Sequence, residues 1–265
     1  MRTSVMMGSM RIRWRLAPVA ALVPPLAGAA LSGCALLDGS SRLEEALEYL
    51  PADAATVTFL DHAAGTDPAY RAGPDTGTSA LADAGLTDAD IAWEASATNG
   101  GGPGRLDRVW KLSDDVDAEV VAAALGDAGY ARSGPRDRPT FTAGEMRLAL
   151  DPDEQVLVSG SDVDALLDVV ADDADSLADT GRFGDLLDHA GDQDELAYAA
   201  LSLDAACDTT ATALFVPDDG PVRAVLGTGD GDAQVEDDFA EPADAVRAFV
   251  LREEPFGCAG TPRGA

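Results

Sequence analysis

Lysine is almost missing from this chain: Lys111 is the only one in 265 residues. Eighteen basic residues face 48 acidic ones, for a net charge of −30. Such a surface repels phosphate backbones, so nucleic-acid binding is excluded, and so is electrostatic adsorption to anionic lipid. Histidine is nearly as scarce. His62 and His189 each follow an aspartate, Asp61 and Asp188. Sequence neighbours do not face one another on a helix or a strand, so neither pair is a catalytic dyad, and both histidines are expected at the surface. The chain has no G-x-S-x-G, H-E-x-x-H or P-loop pattern. Gly227-Thr-Gly-Asp-Gly231 lacks the strand-then-helix setting of a phosphate loop and reads as a turn before the last helix. No catalytic residue and no cofactor is assigned.

Cysteine is rare too, with three in all. The first sits at an informative place. Arg2, Arg11, Arg13 and Arg15 precede an apolar run, Leu16 to Cys34, and no acid occurs before Cys34. A basic start, an apolar middle and small residues at the end describe a secretory signal peptide. Pro24 and Pro25 interrupt the run, which is too short to span a bilayer comfortably. Its last residues, Leu31-Ser32-Gly33-Cys34, resemble the lipobox of bacterial lipoprotein precursors. That resemblance covers residues 1–34 only. It implies a diacylglyceryl group on the Cys34 thiol, acyl chains such as palmitate, and cleavage between Gly33 and Cys34. Several acyl chains anchor stably where one gives marginal binding. Residues 1–33 are then a cleaved signal peptide, and 34–41 are the lipidated cysteine and a short tether. The expected location is the outer, extracytoplasmic face of the cell membrane. Met10 is a second possible start. Cleavage removes four arginines and no acid, which moves the net charge from −30 to −34. Abundant Ala, Asp, Gly and Arg with so little Lys suggests a high-GC genome.

The other two cysteines, Cys207 and Cys258, form no C-x-x-C pair. Outside the cytoplasm an isolated pair is most simply a disulfide. Closing a loop of about 50 residues contributes roughly 4 kcal/mol in the chain-entropy model.

Residues 42–265 read as a single α+β domain. Ser41-x-x-Glu44 is a capping box opening a helix with Leu43, Ala46, Leu47 and Leu50 on one face. Ala55 to Leu60 alternates as a strand, and 62–90 reads as a long loop with one or two short helices. Turn residues at Asn99–Gly104, Asp151–Glu154 and Pro217–Gly220 suggest three hairpins: 91–98 with 106–112, 146–150 with 155–159, and 212–216 with 222–227. Helices are expected over 117–128, with Val120, Val121, Ala124, Leu125 and Ala128 inward, and over 162–171 with Ser161 as cap. A shorter helix is expected over 183–189. A last one starts at Pro242 and turns Val246, Phe249 and Val250 inward. Residues 196–203 read as a buried strand. The pattern implies an antiparallel sheet built from hairpins, with amphipathic helices packed on one face. A weak internal duplication, with halves 42–190 and 191–265, is suggested by the recurring order of strand, hairpin and helix.

Several clusters invite chemistry. Asp75-Thr76-Gly77 and Asp179-Thr180-Gly181 match the triplet of aspartic proteases, whose paired carboxylates share a proton, but neither follows an apolar strand. Carboxylate oxygen is the ligand calcium prefers. Asp230, Asp232 and Glu236 are weak calcium candidates, as are Asp172, Asp173, Asp175 and Asp179, although neither set has EF-hand spacing, and no metal site is assigned. Trp93 and Trp110, on opposite strands of the first hairpin, serve either as a ligand platform or as large residues of an Ala-rich core. The leading reading is a non-enzymatic envelope lipoprotein that binds an unidentified envelope protein or ligand. A carrier enclosing an apolar ligand is the second, and it requires a large apolar cavity between sheet and helices. A carboxylate hydrolase is the third, and it requires two acids converging about 5 to 9 Å apart.

Overall fold

Ser41 starts the first helix by satisfying its free amides. Its hydroxyl accepts from Glu44 N at 3.1 Å, and the Glu44 carboxylate accepts from Ser41 N at 3.0 Å. The resulting α1 (Arg42–Glu48) turns Leu43, Ala46 and Leu47 inward. The structure is a computed structural model. It describes residues 41–64, 81–82, 84–99, 106–190, 196–203, 209–218, 220–228 and 233–256.

Eleven strands form one sheet: β1 (Thr56–Asp61), β2 (Ile91–Thr98), β3 (Leu106–Leu112), β4 (Ala131–Ser133), β5 (Thr140–Ala143), β6 (Met146–Asp151), β7 (Val156–Ser159), β8 (Leu196–Ser202), β9 (Thr209–Pro217), β10 (Arg223–Thr228) and β11 (Gln234–Asp237). Their order is β11-β10-β9-β8-β1-β2-β3-β7-β6-β5-β4, and every neighbouring pair is antiparallel. Between and after them lie α2 (Ala118–Asp127), α3 (Val163–Val170), α4 (Gly184–Leu187) and α5 (Pro242–Leu251).

The register fixes which side chains share a face. Phe59, Ala95, Val109, Val158 and Ala199 form one row. They pack with Leu43 and Leu47 of α1, Leu166 and Val170 of α3 and Leu186 of α4. The opposite face carries two separate clusters. Trp110, Leu148 and Leu157 meet Val121 and Leu125 of α2. Leu60, Tyr198 and Leu214 meet Val246 and Phe249 of α5. Between these clusters the central strands present hydroxyls: Thr58 Oγ1 lies 2.6 Å from Ser96 Oγ, and Thr98 Oγ1 donates to Thr56 Oγ1 at 3.1 Å.

Helices therefore cover both faces of the sheet, not one as the sequence suggested. A strand buried on both faces reads as a continuous apolar run. β7 (VLVS) and β8 (LAYAALS) are such runs, with every residue buried.

Three helix details also differ from expectation. α2 buries Ala118, Val121, Ala122 and Leu125, which leaves Val120 63% exposed. α5 buries Ala245, Val246, Ala248 and Phe249, and Val250 points outward. Asp162, not Ser161, caps α3, accepting from Ala165 N at 3.2 Å. In each case the polar and apolar residues fit two neighbouring phases, and packing against the sheet selects one. β4, β5 and β11 are short additions at the sheet edges that the sequence reading did not contain. Short edge strands limit unwanted pairing with other chains.

Gly160 follows β7 where the backbone crosses buried Asp107. A Cβ at this position would sit 2.4 Å from Asp107 Oδ1 and 3.0 Å from Leu166 Cδ1. Gly126, within α2, has nothing within 4 Å of such a Cβ. Gly160→Ala is expected to lower unfolding stability by about 1–3 kcal/mol through overpacking. Gly126→Ala is expected to raise it by about 0.5–1 kcal/mol through helix propensity. Urea titration of the two variants checks both signs.

Candidate binding cleft at the strand ends

Because β1, β2 and β3 are antiparallel neighbours, the end of β1, the start of β2 and the end of β3 meet at one edge. The first turn of α1 reaches the same place. These segments enclose an open cleft of about 790 Å³, lined among others by Arg42, Glu45, His62, Asp88, Trp93 and Lys111.

Its floor is held by a polar chain. Trp93 is 1% exposed and stacks on Tyr49, with ring centroids 6.0 Å apart. Its indole N–H donates to Glu45 Oε2 at 3.2 Å, and Glu45 Oε1 lies 2.9 Å from Lys111 Nζ. Lys111 also donates to Tyr49 Oη at 3.4 Å and stands 5.3 Å above the Tyr49 ring. Tyr49 in turn donates to Glu154 Oε2 at 2.8 Å. Burial, then the hydrogen bond to Glu154 and the surrounding carboxylates, push the Tyr49 hydroxyl far above the usual tyrosine value. It stays a neutral donor throughout the physiological range.

Asp61, at the end of β1, is 3% exposed. It pairs with Arg42 of α1 and accepts from Ala63 N at 2.7 Å and Ala64 N at 3.3 Å. This closes the turn that carries His62. The next strand supplies a further anchor. The β2–β3 register shifts between Ile91 and Trp93, and His62 N donates to Ala92 O at 3.1 Å. A short 3-10 turn, Asp88–Asp90, forms the opposite wall. Thr87 fixes it by donating from both N and Oγ1 to Asp90 Oδ2 at 2.7 Å. Ser113 ties it to the end of β3, with N donating to Asp90 O at 3.0 Å and Oγ to Ala89 O at 3.2 Å.

His62 is not at the surface: its side chain is 5% exposed. Nδ1 lies 3.8 Å from Asp88 Oδ1, and Nε2 lies 3.8 Å from Glu94 Oε2. Those separations are charge contacts, too long for hydrogen bonds. Glu94 also accepts from Trp110 Nε1 at 3.0 Å. Burial raises the Glu94 carboxyl, but the neighbouring His62, the Trp110 indole and the Arg108 charge outweigh it. The net result lies below the usual 4.5.

The sequence singled out His62 and Trp93 but missed their partners. The available signal was Lys111, the only lysine in so acidic a chain. Trp93 and Trp110 turn to opposite faces of the sheet and are both fully buried, so they do not form one platform. His189 is half-exposed, far along the chain after α4, and its carbonyl accepts from Arg223 at 3.1 Å.

The remaining candidates do not converge. Asp179 accepts from Ser176 N and Oγ, both at 2.8 Å, and Thr180 Oγ1 donates to Leu177 O at 2.7 Å. That Asp-Thr-Gly triplet is a local turn ending in Gly181 at φ +60°. Asp173 faces Arg138 at 3.5 Å. Glu236 is half-buried in β11, where it accepts from Gln234 at 3.4 Å. Among the described residues no three His, Cys, Asp or Glu side chains are grouped to hold a metal ion. Gly33, Cys34, Asp75, Cys207, Asp230, Asp232 and Cys258 lie outside the described residues. Among the described residues no helix is long and apolar enough to cross a membrane.

No family model matches the chain, and no curated protein matches it. Solved structures do. Crystal form IV of the protein TP0453 aligns with a TM-score of 0.51 at 7% identity, over 77% of this chain and 95% of that one. Crystal form III of the same protein gives 0.49 at 9% identity, over 78% and 86%. At 7% identity the likeness is one of fold: a broad antiparallel sheet with helices, shared by two chains of unrelated sequence.

Glu94 gives a pH test. Its folded-state value lies below its unfolded one, so its contribution is present above about pH 4.5 and is lost as pH falls through the folded value. Glu94→Gln is expected to flatten the loss of stability between about pH 5 and 3. Urea midpoints measured across that range check it, and equal slopes in the two proteins would contradict the assignment.

Proposed function

We propose that this protein is a lipid-anchored lipoprotein on the extracytoplasmic face of the cell membrane. There its α+β domain acts as a non-enzymatic binding protein of the envelope through the strand-end cleft. The observation that carries this reading is Leu31-Ser32-Gly33-Cys34, placed after a basic and apolar leader and seven residues before the cap of α1. Seven residue steps reach at most roughly 25 Å, so an anchor on Cys34 keeps α1, one wall of the cleft, close to the bilayer surface.

The cleft supports binding more than catalysis. It has both signs of charge, an aromatic floor and a volume within the usual range for ligand sites. Its hydroxyl, Ser113, donates to a backbone carbonyl and not to His62. The carrier reading receives less support. The clusters on both sheet faces are filled by their own side chains. The apolar groove beside α1, lined by Leu47, Leu177, Phe183 and Leu187, holds about 260 Å³ and opens to solvent.

The proposed Cys207–Cys258 disulfide is supported by what flanks it. Arg252, six residues before Cys258, donates to Ser202 Oγ at 2.8 Å and Thr212 Oγ1 at 3.2 Å. Those two residues bracket Cys207 in the sequence.

Two measurements test this section. Cys34→Ala is expected to move the protein from the membrane fraction to the soluble fraction of the cell envelope, and unchanged partitioning with membranes would refute lipidation there as the anchor. In the protein from oxidised envelope, iodoacetamide is expected to label neither Cys207 nor Cys258 until reductant is added. Reduction is then expected to lower stability by roughly 4 kcal/mol, the chain-entropy value for a loop of about 50 residues.

A further inference from the structure

We propose that this protein associates with copies of itself head to tail, the outer ridge of α5 of one copy docking into the apolar groove beside α1 of the next. Both halves of that contact are present on one chain. The inference goes beyond the strand-end cleft and does not depend on what that cleft binds.

The ridge lies on the solvent side of α5. Among the described residues four large apolar side chains are exposed, and two of them are adjacent here, Val250 at 54% and Leu251 at 55%. Arg247 stands three and four residues before them, on the same side of the helix. The inward stripe of α5 is complete without them, because Ala245, Val246, Ala248 and Phe249 fill the cluster below. Arg42, Arg138, Arg147 and Arg223 each face a carboxylate. Arg247 is exposed and, among the described residues, has no ion-pair partner.

The groove has the complementary character. Leu47, Leu177, Phe183 and Leu187 line it, and Glu44 and Glu48 stand on its α1 side. Its volume of about 260 Å³ lies below the range of about 300–1,000 Å³ usual for small-molecule sites. It suits an inserted side chain, the anchor-in-pocket pattern of protein interfaces. Arg182, the basic residue of the lining, turns to the backbone, donating to Ala52 O at 3.2 Å and Ala54 O at 3.5 Å. The acids are crowded. Partial burial, then the carboxylates of Glu45, Asp179, Glu44 and Asp172, hold the Glu48 carboxyl above the usual 4.5. A guanidinium docked at this rim relieves that crowding, and apolar side chains beside it fill the groove.

The groove belongs to the sheet face covered by α1, α3 and α4, and α5 lies on the other face. A chain therefore cannot fill its own groove with its own ridge. One copy can give its ridge to a neighbour while receiving another's, the heterologous arrangement that builds rings or rows. The net charge of −30 opposes approach. At physiological ionic strength that field fades within about 8 Å, whereas Arg247 and Glu48 pair at contact. A patch of this size is at the weak end of protein interfaces. Copies held on one membrane, as proposed above, meet at a raised effective concentration.

The test places a photoreactive amino acid at Ala178, exposed beside the groove, in the full-length protein in its native cells. The expected product is a dimer adduct whose crosslinked peptide carries residues 247–251. Arg247→Glu and Leu251→Asp, each on an exposed side chain, are each expected to remove it. Glu48→Arg alone is expected to remove it too, and Glu48→Arg combined with Arg247→Glu to restore it, which loss of folding could not do. Whole cells are irradiated, and fractionation afterwards reports the membrane anchor separately. No adduct, an adduct to a different protein, a dimer joined through another segment, or no restoration by the paired reversal would overturn the proposal.

Discussion

The pairing of β1 with β8 is the ladder on which the rest depends. Thr56 to Leu60 pairs with Tyr198 to Ser202 in the middle of the sheet, between partners more than 130 residues apart in the chain. On one side β1 continues into β2, β3 and the β7–β4 meander, and on the other β8 continues into β9, β10 and β11. Each flank carries its own helix, α2 or α5, on the same face. Neither flank buries both of its faces alone, because α1, α3 and α4 cover a cluster to which both flanks contribute. Such long-range pairing has a high loop-closure cost, so the ladder is also where slow folding is expected to be concentrated.

The same strand sets up the cleft. The end of β1 places Asp61 and His62 beside the start of β2 and the end of β3, and α1 packs back over that edge. With 48 acidic residues and one lysine, the chain has few cations to distribute. Two of them, Arg42 and Lys111, are committed to this edge, each against a partly or fully buried carboxylate. Among the described residues most other acids are exposed, which suits solubility at so high a charge. At the cleft, Asp61 and Glu45 are among the acids held by a basic partner.

Legibility in the sequence followed the strength of local signals. Ser41 and Glu44 marked the first cap because the capping box is a four-residue pattern with its own hydrogen bonds. Residues 91–98 were readable from the turn residues Asn99–Gly104 that follow them, and the strand there buries one face and half-exposes the other. β7 and β8 showed no alternation, which is the pattern of cover on both faces, but the hairpin pattern taken alone suggested helices on one face only. Helix phase failed at Val120 and Val250, where an extra apolar residue borders the buried stripe. The cleft was the least legible part. Arg42 and Glu45 share α1 and Tyr49 caps it, but Lys111 is on β3 and Glu154 in the turn after β6, and nothing in the sequence brings these three places together. His62 was read as a surface residue because one histidine beside an aspartate carries no information about a turn closed by Ala63 and Ala64 amides.

The proposed function rests on the strand-end cleft being where the protein binds its partner. A photoreactive amino acid placed at Ala89, exposed on the cleft wall, tests it in intact native cells against the same probe at Val120, exposed on α2 and outside the cleft lining. The expected result is a discrete crosslinked adduct from position 89 and none from position 120. No adduct from position 89, or the same adduct from both, would contradict the claim.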